Sequence, residues 1–259
     1  MFIYNLRERS MKMSSFYQLF LANFKMFYRE KEGFYWTVLM PAGIYIALSV
    51  LPIGRFTGNN IVYSNYVLPG IIAMTIMQGG IYSLAYWMID LKSRGIIKRL
   101  LATPIRQWQL ALSLVCARLL IVIGQVIILT LIGKLIFHAD FAGNILSILV
   151  LILLGGAIFL LIGLLISNFA KTYDSAAPIT SAIGLPLTFL GNIFYPIDSL
   201  PHVLKVFAEI LPITYLADGL RQAYLYPFNP AKIGFDILIL AVWLAAITAI
   251  TLSVFRLKE

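Results

Sequence analysis

Residues 144–168 read NILSILVLILLGGAIFLLIGLLISN and contain no charged side chain. The hydrocarbon core of a bilayer is about 30 Å thick, and a helix needs about 20 predominantly apolar residues to cross it. Lipid offers no hydrogen-bond partner to backbone groups. A single segment can satisfy its own backbone groups only as a helix, so it crosses the bilayer in that form. The segment therefore predicts a transmembrane helix and an all-α membrane protein.

Five further segments meet or approach the same length and polarity. They lie at about 35–53, 67–89, 112–137, 176–194 and 234–255. The 259-residue chain is 61% apolar and 12% charged, against about 45–50% and about 25% in soluble domains. Without an internal repeat or linker, the chain is predicted to be one transmembrane domain, residues 1–259, with six spans after a segment at 1–34.

The basic residues are distributed unequally between the two sides of these spans. Fourteen lie in the first 34 residues, the connections after spans two and four, and the tail, against five on the opposite side. Cytoplasmic loops carry such an excess, so both termini are predicted to be in the cytoplasm, with the chain in the cell (inner) membrane. The net charge of +9 is spread over short loops, which argues against nucleic acid as a partner.

The N-terminal segment has a helical pattern between residues 14 and 29. Its apolar positions include Phe16, Phe20 and Phe24, and its polar face includes Asn23 and Arg29. A basic amphipathic helix beside a span is typical of the membrane interface, which we favour over a helix packed on a soluble partner.

The connection after the second span, residues 90–106, reads DLKSRGIIKRLLATPIR. Ile96 and Ile97 begin an apolar stripe among basic residues, and Pro104 ends the helix because it lacks an amide donor. The alternative is an ordinary basic loop, but a simple turn would be enough to connect two spans, so a short helix indicates a further role. A rigid helix joined to two spans could transmit a push.

The segment before the last span predicts two short helices. Leu200, Val203, Leu204 and Phe207 form an apolar stripe, which Asp198 or Ser199 could cap, with Pro201 in the first turn. Pro212 interrupts the pattern, and the second helix carries Asp218 and Arg221 three residues apart. The pair could dip into the outer leaflet and return, or lie on the surface as a lid.

Three motifs together resemble the ABC transporter type 2 permeases, a family of drug, polysaccharide and lipid-linked exporters. They are Leu68-Pro69-Gly70, the run GIIKRLLATPI at 95–105, and the later SLP and LPITY. The resemblance covers essentially the whole chain. It implies a cytoplasmic coupling helix at 91–104 that docks on the ATPase, and a re-entrant helical hairpin at Pro201, Pro212, Asp218 and Arg221. The residues assigned to coupling are Lys92, Arg94, Gly95, Lys98, Arg99, Thr103 and Pro104.

The resemblance also implies partners. Two copies of this permease would work with two copies of a separate nucleotide-binding ATPase subunit, which would hold ATP and Mg²⁺, while this chain would bind no cofactor or metal. A phosphate loop requires G-x-x-x-x-G-K-[ST], and neither Lys92-Ser93 nor Lys171-Thr172 has those glycines. The chain is therefore predicted to be a transport subunit and not itself an enzyme.

Several further residues are candidate contacts. The turn after the fourth span is either a second ATPase contact, through Lys171, Tyr173 and Asp174, or a plain helix-end turn. Arg118 in the third span is predicted to snorkel to the cytoplasmic interface or to pack near the coupling helix. Polar and aromatic positions at span depth could line a pathway, or serve interhelical bonding. They are Gln78, Gln125, Phe189, Asn192, Phe194 and Tyr195.

Two other function classes are disfavoured. A membrane enzyme needs a catalytic constellation, and an ion-coupled carrier needs carboxylates or histidines within the bilayer. His138 and His202 fall outside the spans, and Asp90 and Asp236 lie at span ends. We expect an exporter of an amphipathic or lipid-like substrate that interacts with membrane lipid, because a hydrated solute would lose water in so apolar a bundle. A polysaccharide or lipid-linked glycan is the alternative.

Overall fold

The computed structural model describes residues 17–25, 31–51, 62–101, 107–139, 141–170 and 172–254. Within these ranges the regular elements are all helical, which confirms the predicted all-α class. Residues 17–25 form α1, and a short 3₁₀ turn at Ile197–Ser199 precedes α8. The other helices are α2 (Lys31–Val50), α3 (Tyr63–Ser93), α4 (Ile96–Leu101), α5 (Gln107–Ile136), α6 (Ile145–Phe169), α7 (Tyr173–Leu190), α8 (His202–Ile210), α9 (Pro212–Leu225) and α10 (Pro230–Val254).

Four helical stretches among the described residues are long and apolar enough to cross a membrane. They are Tyr63–Ser93, Leu112–Ile136, Ile145–Phe169 and Pro230–Val254, at four of the six predicted positions. In α2 the apolar stretch is the shorter Val38–Val50. The six-span layout remains a prediction at α2 and at α7, which contains Pro178 and Pro186.

The predicted fifth span, 176–194, extends too far at its carboxyl end. Thr172 caps the start of α7 by accepting from the amide of Ser175, but the helix ends at Leu190. Asn192 has φ 55°, a left-handed conformation that a continuing right-handed helix cannot contain. Residues 191–195 therefore form a corner instead of the last turn of a span.

Helix α3 occupies the centre of the bundle. Ile71, Ile76 and Met88 on it are fully buried, and it contacts α2, α5, α6, α7 and α9. It approaches α6 closely at Gly80, where an added Cβ would lie 2.5 Å from the Cβ of Phe159. Small residues permit such packing between membrane helices, where burial from water is not available as a driving force.

Helices α8 and α9 form the predicted pair around Pro212, which is the first residue of α9. The residue before α8 is Pro201, and no side-chain cap bond is present there, so capping by Asp198 or Ser199 is wrong. Asp198 instead accepts a hydrogen bond from Lys205 at 2.6 Å. Thr214 Oγ1 donates to the Ala208 carbonyl at 2.6 Å and ties the start of α9 to α8.

Helix α1 packs on the end of the bundle that carries the carboxyl-terminal part of α3. Leu19 contacts the apolar cluster that contains Leu84 and Trp87. Asn23, predicted on the polar face, is instead buried, and its Nδ2 lies 3.5 Å from Ser113 Oγ on α5. Asn23 thus faces the bundle, where Ser113 of α5 offers it a hydroxyl partner. Arg29 lies outside the described residues.

Candidate functional sites at the two ends of the bundle

At one end of the bundle, α3 and α4 are joined by a tight turn at Arg94 and Gly95. Gly95 has φ 66°, the left-handed conformation that commonly ends a helix, and its amide bonds to the Lys92 carbonyl at 3.0 Å. The segment 91–104 is therefore not one continuous helix. Lys92 belongs to α3 and Arg99 to α4, while Thr103 and Pro104 lie outside the described residues.

The six-residue helix α4 is held against the bundle by its apolar stripe. Ile97 is 5% exposed and packs in a cluster supplied by α3, α5 and α6, with Ile96 against the same cluster. The buried members from those three helices are Leu84, Trp87, Met88, Leu91, Leu114, Leu160 and Leu164. Ile96 and Ile97, the described part of the predicted stripe, thus join an apolar cluster to which three candidate spans contribute.

The basic residues around α4 have different environments. Lys92 Nζ donates to the Ser167 carbonyl at 2.5 Å, near the end of α6, where a cation suits the carbonyl-rich helix terminus. Arg94 is exposed and pairs with Asp90 at 2.8 Å. Arg99 is also exposed. Arg94 and Arg99 are therefore on the surface, Lys92 is used within the bundle, and the side chain of Lys98 lies outside the described set.

The turn before α7 reaches the same end of the molecule. Tyr173 stacks on Tyr86 of α3 with ring centroids 5.7 Å apart, and Asp174 is exposed in the first turn. Tyr86 in turn shares a hydrogen bond of 3.2 Å with Thr180. This predicted second contact is thus joined to α3, and Lys171 lies outside the described residues.

At the opposite end of the bundle, Arg221 joins three separate parts of the chain. Its guanidinium donates to the Asn192 carbonyl at 2.8 Å and to the Asp218 carboxylate at 3.0 Å. The same group lies 4.0 Å above the ring of Tyr66 on α3. Arg221 is 6% exposed, so these contacts are made largely away from solvent. Asp218 and Arg221 therefore form the predicted pair, within a larger network.

Asn192 completes this network. Its Nδ2 donates to Asp218 at 2.5 Å, and its Oδ1 accepts from Tyr66 Oη at 3.2 Å. Burial raises the pKa of the Asp218 carboxyl, and the neighbouring Arg221 and Asn192 oppose that rise. The corner after α7 is thereby fixed to both α3 and α9.

Gly70 explains part of the Leu68-Pro69-Gly70 motif. A Cβ added at Gly70 would lie 2.2 Å from the Ile193 carbonyl oxygen, closer than any real contact. Backbone meets backbone here, so neither side can move away by changing a rotamer. Glycine is required at this position for α3 to touch the corner at 191–195.

The six predicted pathway residues do not line one surface. Asn192 is buried in the Arg221 network, Tyr195 donates to the Phe189 carbonyl, and Phe194 packs on the main apolar core. Phe189 is 55% exposed on α7. Gln78 is half-buried on α3. Gln125 is buried, and its Oε1 has no partner among the described residues.

Arg118 does not snorkel. It is 5% exposed, donates to Ser83 Oγ at 2.6 Å, and lies 4.7 Å from the ring centre of Trp87. Both partners belong to α3, which draws the long side chain across the bundle instead of along α5. Because Trp87 shares its apolar cluster with Ile97, the second part of the prediction, packing near α4, agrees with this placement.

Sequence reasoning missed Tyr66, Ser83 and Trp87. Each is a polar or amphipathic residue inside a candidate span, and each contacts an arginine or its network. A signal was available, since a buried arginine needs partners and aromatic rings stack on guanidinium groups. Which aromatic residue is used depends on helix packing, which the sequence pattern does not specify.

Known proteins similar to this chain are named as membrane transporters or permeases. The family model described as ABC-2 type transporter matches residues 14–225. The inner membrane transport permease YadH of Escherichia coli is 26% identical over 194 residues, which cover 72% of this chain and 75% of YadH. The probable multidrug ABC transporter permease YbhR of Escherichia coli is 26% identical over 177 residues, 68% of this chain and 48% of YbhR. The ABC transporter G family member 20 of Dictyostelium discoideum is 22% identical over 163 residues, 63% of this chain and 22% of that protein.

Proposed function

The chain belongs to the ABC-2 type transporter family, and on that basis we propose that it exports an amphipathic or lipid-like substrate, using ATP hydrolysed by a separate subunit. Its relatives are permeases, which supports a role as the membrane subunit of an ABC transporter. The distribution of basic residues supports an inner-membrane location with both termini in the cytoplasm.

The observation that carries the proposal is the attachment of α4. A coupling element must be exposed to its partner on one side and fixed to the transport helices on the other. Arg94 and Arg99 are exposed, while Ile97 is buried among α3, α5 and α6. Close-packed interiors transmit displacement, because their side chains have little free volume to absorb it. A push on α4 by an ATPase would therefore act on α3 directly and on an apolar cluster to which α5 and α6 also contribute.

We assign ATP and Mg²⁺ to that ATPase, present in two copies, and place a second copy of this permease beside the first. Helix α7 supports the pairing of permeases, since Ala177 and Ala182 on it are exposed. Small residues on a helix surface permit close approach of a second helix. The Tyr173 turn, stacked on Tyr86 of α3, is the second surface offered to the ATPase.

The substrate class rests on the apolar character of the described helices. YbhR is named a probable multidrug permease, which agrees with an amphipathic substrate. A glycan exporter would need exposed aromatic rings on which sugars could stack. Of the three aromatic pathway candidates on which sugars could stack, Phe189, Phe194 and Tyr195, Phe194 packs on the core and the Tyr195 hydroxyl is bonded to the Phe189 carbonyl. Because Phe194 and Tyr195 already make contacts within the chain, we favour the amphipathic substrate over the glycan.

The test is a charge reversal on the exposed side of α4. We expect Arg99→Glu to leave insertion and folding intact and to abolish substrate-stimulated ATP hydrolysis by the reconstituted permease and ATPase pair. Lys232→Glu, an exposed cation in the first turn of α10 at the other end of the bundle, is the matched control and should retain stimulation. Normal stimulation in Arg99→Glu would exclude this face of α4 from coupling. Stimulation by lipid-linked glycans and not by amphipathic drugs would instead reverse the substrate assignment.

A further inference from the structure

An apolar cleft of about 450 Å³ opens between α5 and α6 in the outer half of the bundle. Its volume falls within the range of about 300–1,000 Å³ that is usual for small-molecule sites. Ile127 and Leu131 of α5 form one wall, and Ile145 and Leu149 of α6 form the other. These four side chains are between 41% and 72% exposed, so the cleft is open along its length instead of being a closed cavity.

The floor of the cleft is formed by the structural core. Leu68 of α3 lies there, and so does Tyr224 of α9. The hydroxyls of Tyr224 and Thr130 are 2.7 Å apart and bonded to each other. Thr130 also donates to the Val126 carbonyl at 2.8 Å. The hydroxyl pair is therefore satisfied internally, and the inner part of the cleft presents hydrocarbon to an occupant.

Among the described residues that line the cleft, the only cation is Lys134, in the last turn of α5. It is exposed, and the ion pairs seen between described residues do not include it. Along α5, the lining runs from Ile123 to Lys134, a length of about 16 Å at about 1.5 Å per residue. An elongated apolar groove with a positive charge at its outer end is complementary to an acyl chain with an anionic headgroup.

We propose that this cleft binds one anionic phospholipid of the outer leaflet, with an acyl chain between α5 and α6 and the phosphate at Lys134. Lysine side chains near helix ends extend toward the interface, where such phosphates lie. The cleft lies at the end of the bundle that the basic-residue distribution places outside. A molecule awaiting export would be recruited on the inner side, so we assign the occupant as a resident lipid. The site does not depend on the ATPase or on the exported substrate.

The test compares lipid retention by the purified full-length chain in detergent, using native mass spectrometry. The probes are phosphatidylglycerol and phosphatidylcholine with identical acyl chains. Lys134→Gln should weaken phosphatidylglycerol binding about fivefold, from about 1 kcal/mol per basic residue at an anionic surface. It should leave phosphatidylcholine binding unchanged. Lys232→Gln, an exposed lysine at the same end of the bundle, should change neither.

A second pair of variants tests the apolar part. Leu149→Trp would fill the cleft and should abolish retention of both lipids, whereas Leu238→Trp on the exposed face of α10 should not. Equal loss of lipid retention in both tryptophan variants would show that the bound lipid surrounds the helices without a specific site, and would overturn the proposal. Equal affinity of the unaltered chain for the two headgroups would also overturn it. So would a disulfide between two copies through Leu131→Cys in a Cys116→Ser background, because the occupant would then be a second chain. Gel filtration checks folding, and the conservative Lys134→Gln remains informative if Leu149→Trp fails to fold.

Discussion

Replacing Arg221 with methionine should destabilise the chain far more than removal of an ordinary surface charge. Methionine keeps much of the volume of arginine but removes all of its donors. The change leaves the Asn192 carbonyl without its donor at 2.8 Å and the half-buried Asp218 without its cation at 3.0 Å. It also removes the guanidinium that lies 4.0 Å from the ring of Tyr66.

The magnitude follows from the three contacts. A hydrogen bond from a charged group contributes about 1.5–3 kcal/mol, and a cation on an aromatic ring about 0.5–2 kcal/mol. Asp218 is 42% exposed at its side chain, so solvent screens the ion pair, and we give it no more than about 1 kcal/mol. Because the contacts share one side chain and do not add fully, we expect a total loss of about 3 to 4 kcal/mol.

The assay is unfolding in mixed micelles of increasing SDS fraction, followed by circular dichroism and by tryptophan fluorescence. Trp243 is suitably placed, since its indole donates to the Ile210 carbonyl at 3.2 Å where α8 ends. Lys205→Met is the matched control. It removes a shorter ion pair, 2.6 Å to Asp198, but an exposed one, and should give no measurable loss.

A double-mutant cycle with Asp218→Asn separates the ion pair from the other contacts. The double variant should be more stable than the sum of the single losses predicts, because the two residues interact directly. If Arg221→Met were no less stable than Lys205→Met, burial would not determine the strength of this contact, and the reasoning would be refuted.

Two further predictions concern packing and topology. Gly70→Ala should destabilise the chain by about 1–3 kcal/mol through overpacking, while Gly43→Ala, with no atom within 4 Å of its added Cβ, should not, and SDS unfolding of the pair decides. On a Cys116→Ser background, a cysteine at Ser93 should be shielded from an impermeant thiol reagent in intact cells and one at Asn229 should be labelled. Labelling of Ser93 from outside would overturn the proposed orientation.

The sequence predicted best what depends on local composition. The segment expected at 144–168 is α6 at Ile145–Phe169, because an uninterrupted apolar run has only one stable form in lipid. The break at Pro212 and the pairing of Asp218 with Arg221 were also predictable, since the first follows from proline and the second from helical spacing.

The predictions that failed depend on contacts between residues that are far apart in the sequence. The end of α7 was placed too late because Asn192 is held by Asp218 and Tyr66, which are far away in the sequence. Arg118 was expected to follow its own helix to the interface, but Ser83 on α3 binds it instead. On an isolated helix Arg118 could extend to the interface, but a neighbouring helix changes the direction of its side chain.

The two candidate functional sites, α4 and the Arg221 network, are both joined to α3. This helix has 31 residues, and at about 1.5 Å per residue it is about 46 Å long. Its carboxyl-terminal end continues through Gly95 into α4, and its amino-terminal part carries Tyr66 and Gly70, which contact Arg221 and the corner after α7. At Gly70 the contact is backbone against backbone, so the amino-terminal part of α3 cannot move without moving that corner. A displacement imposed on α4 would therefore reach α9 through a single buried helix, and this path requires no change in the helices that face lipid.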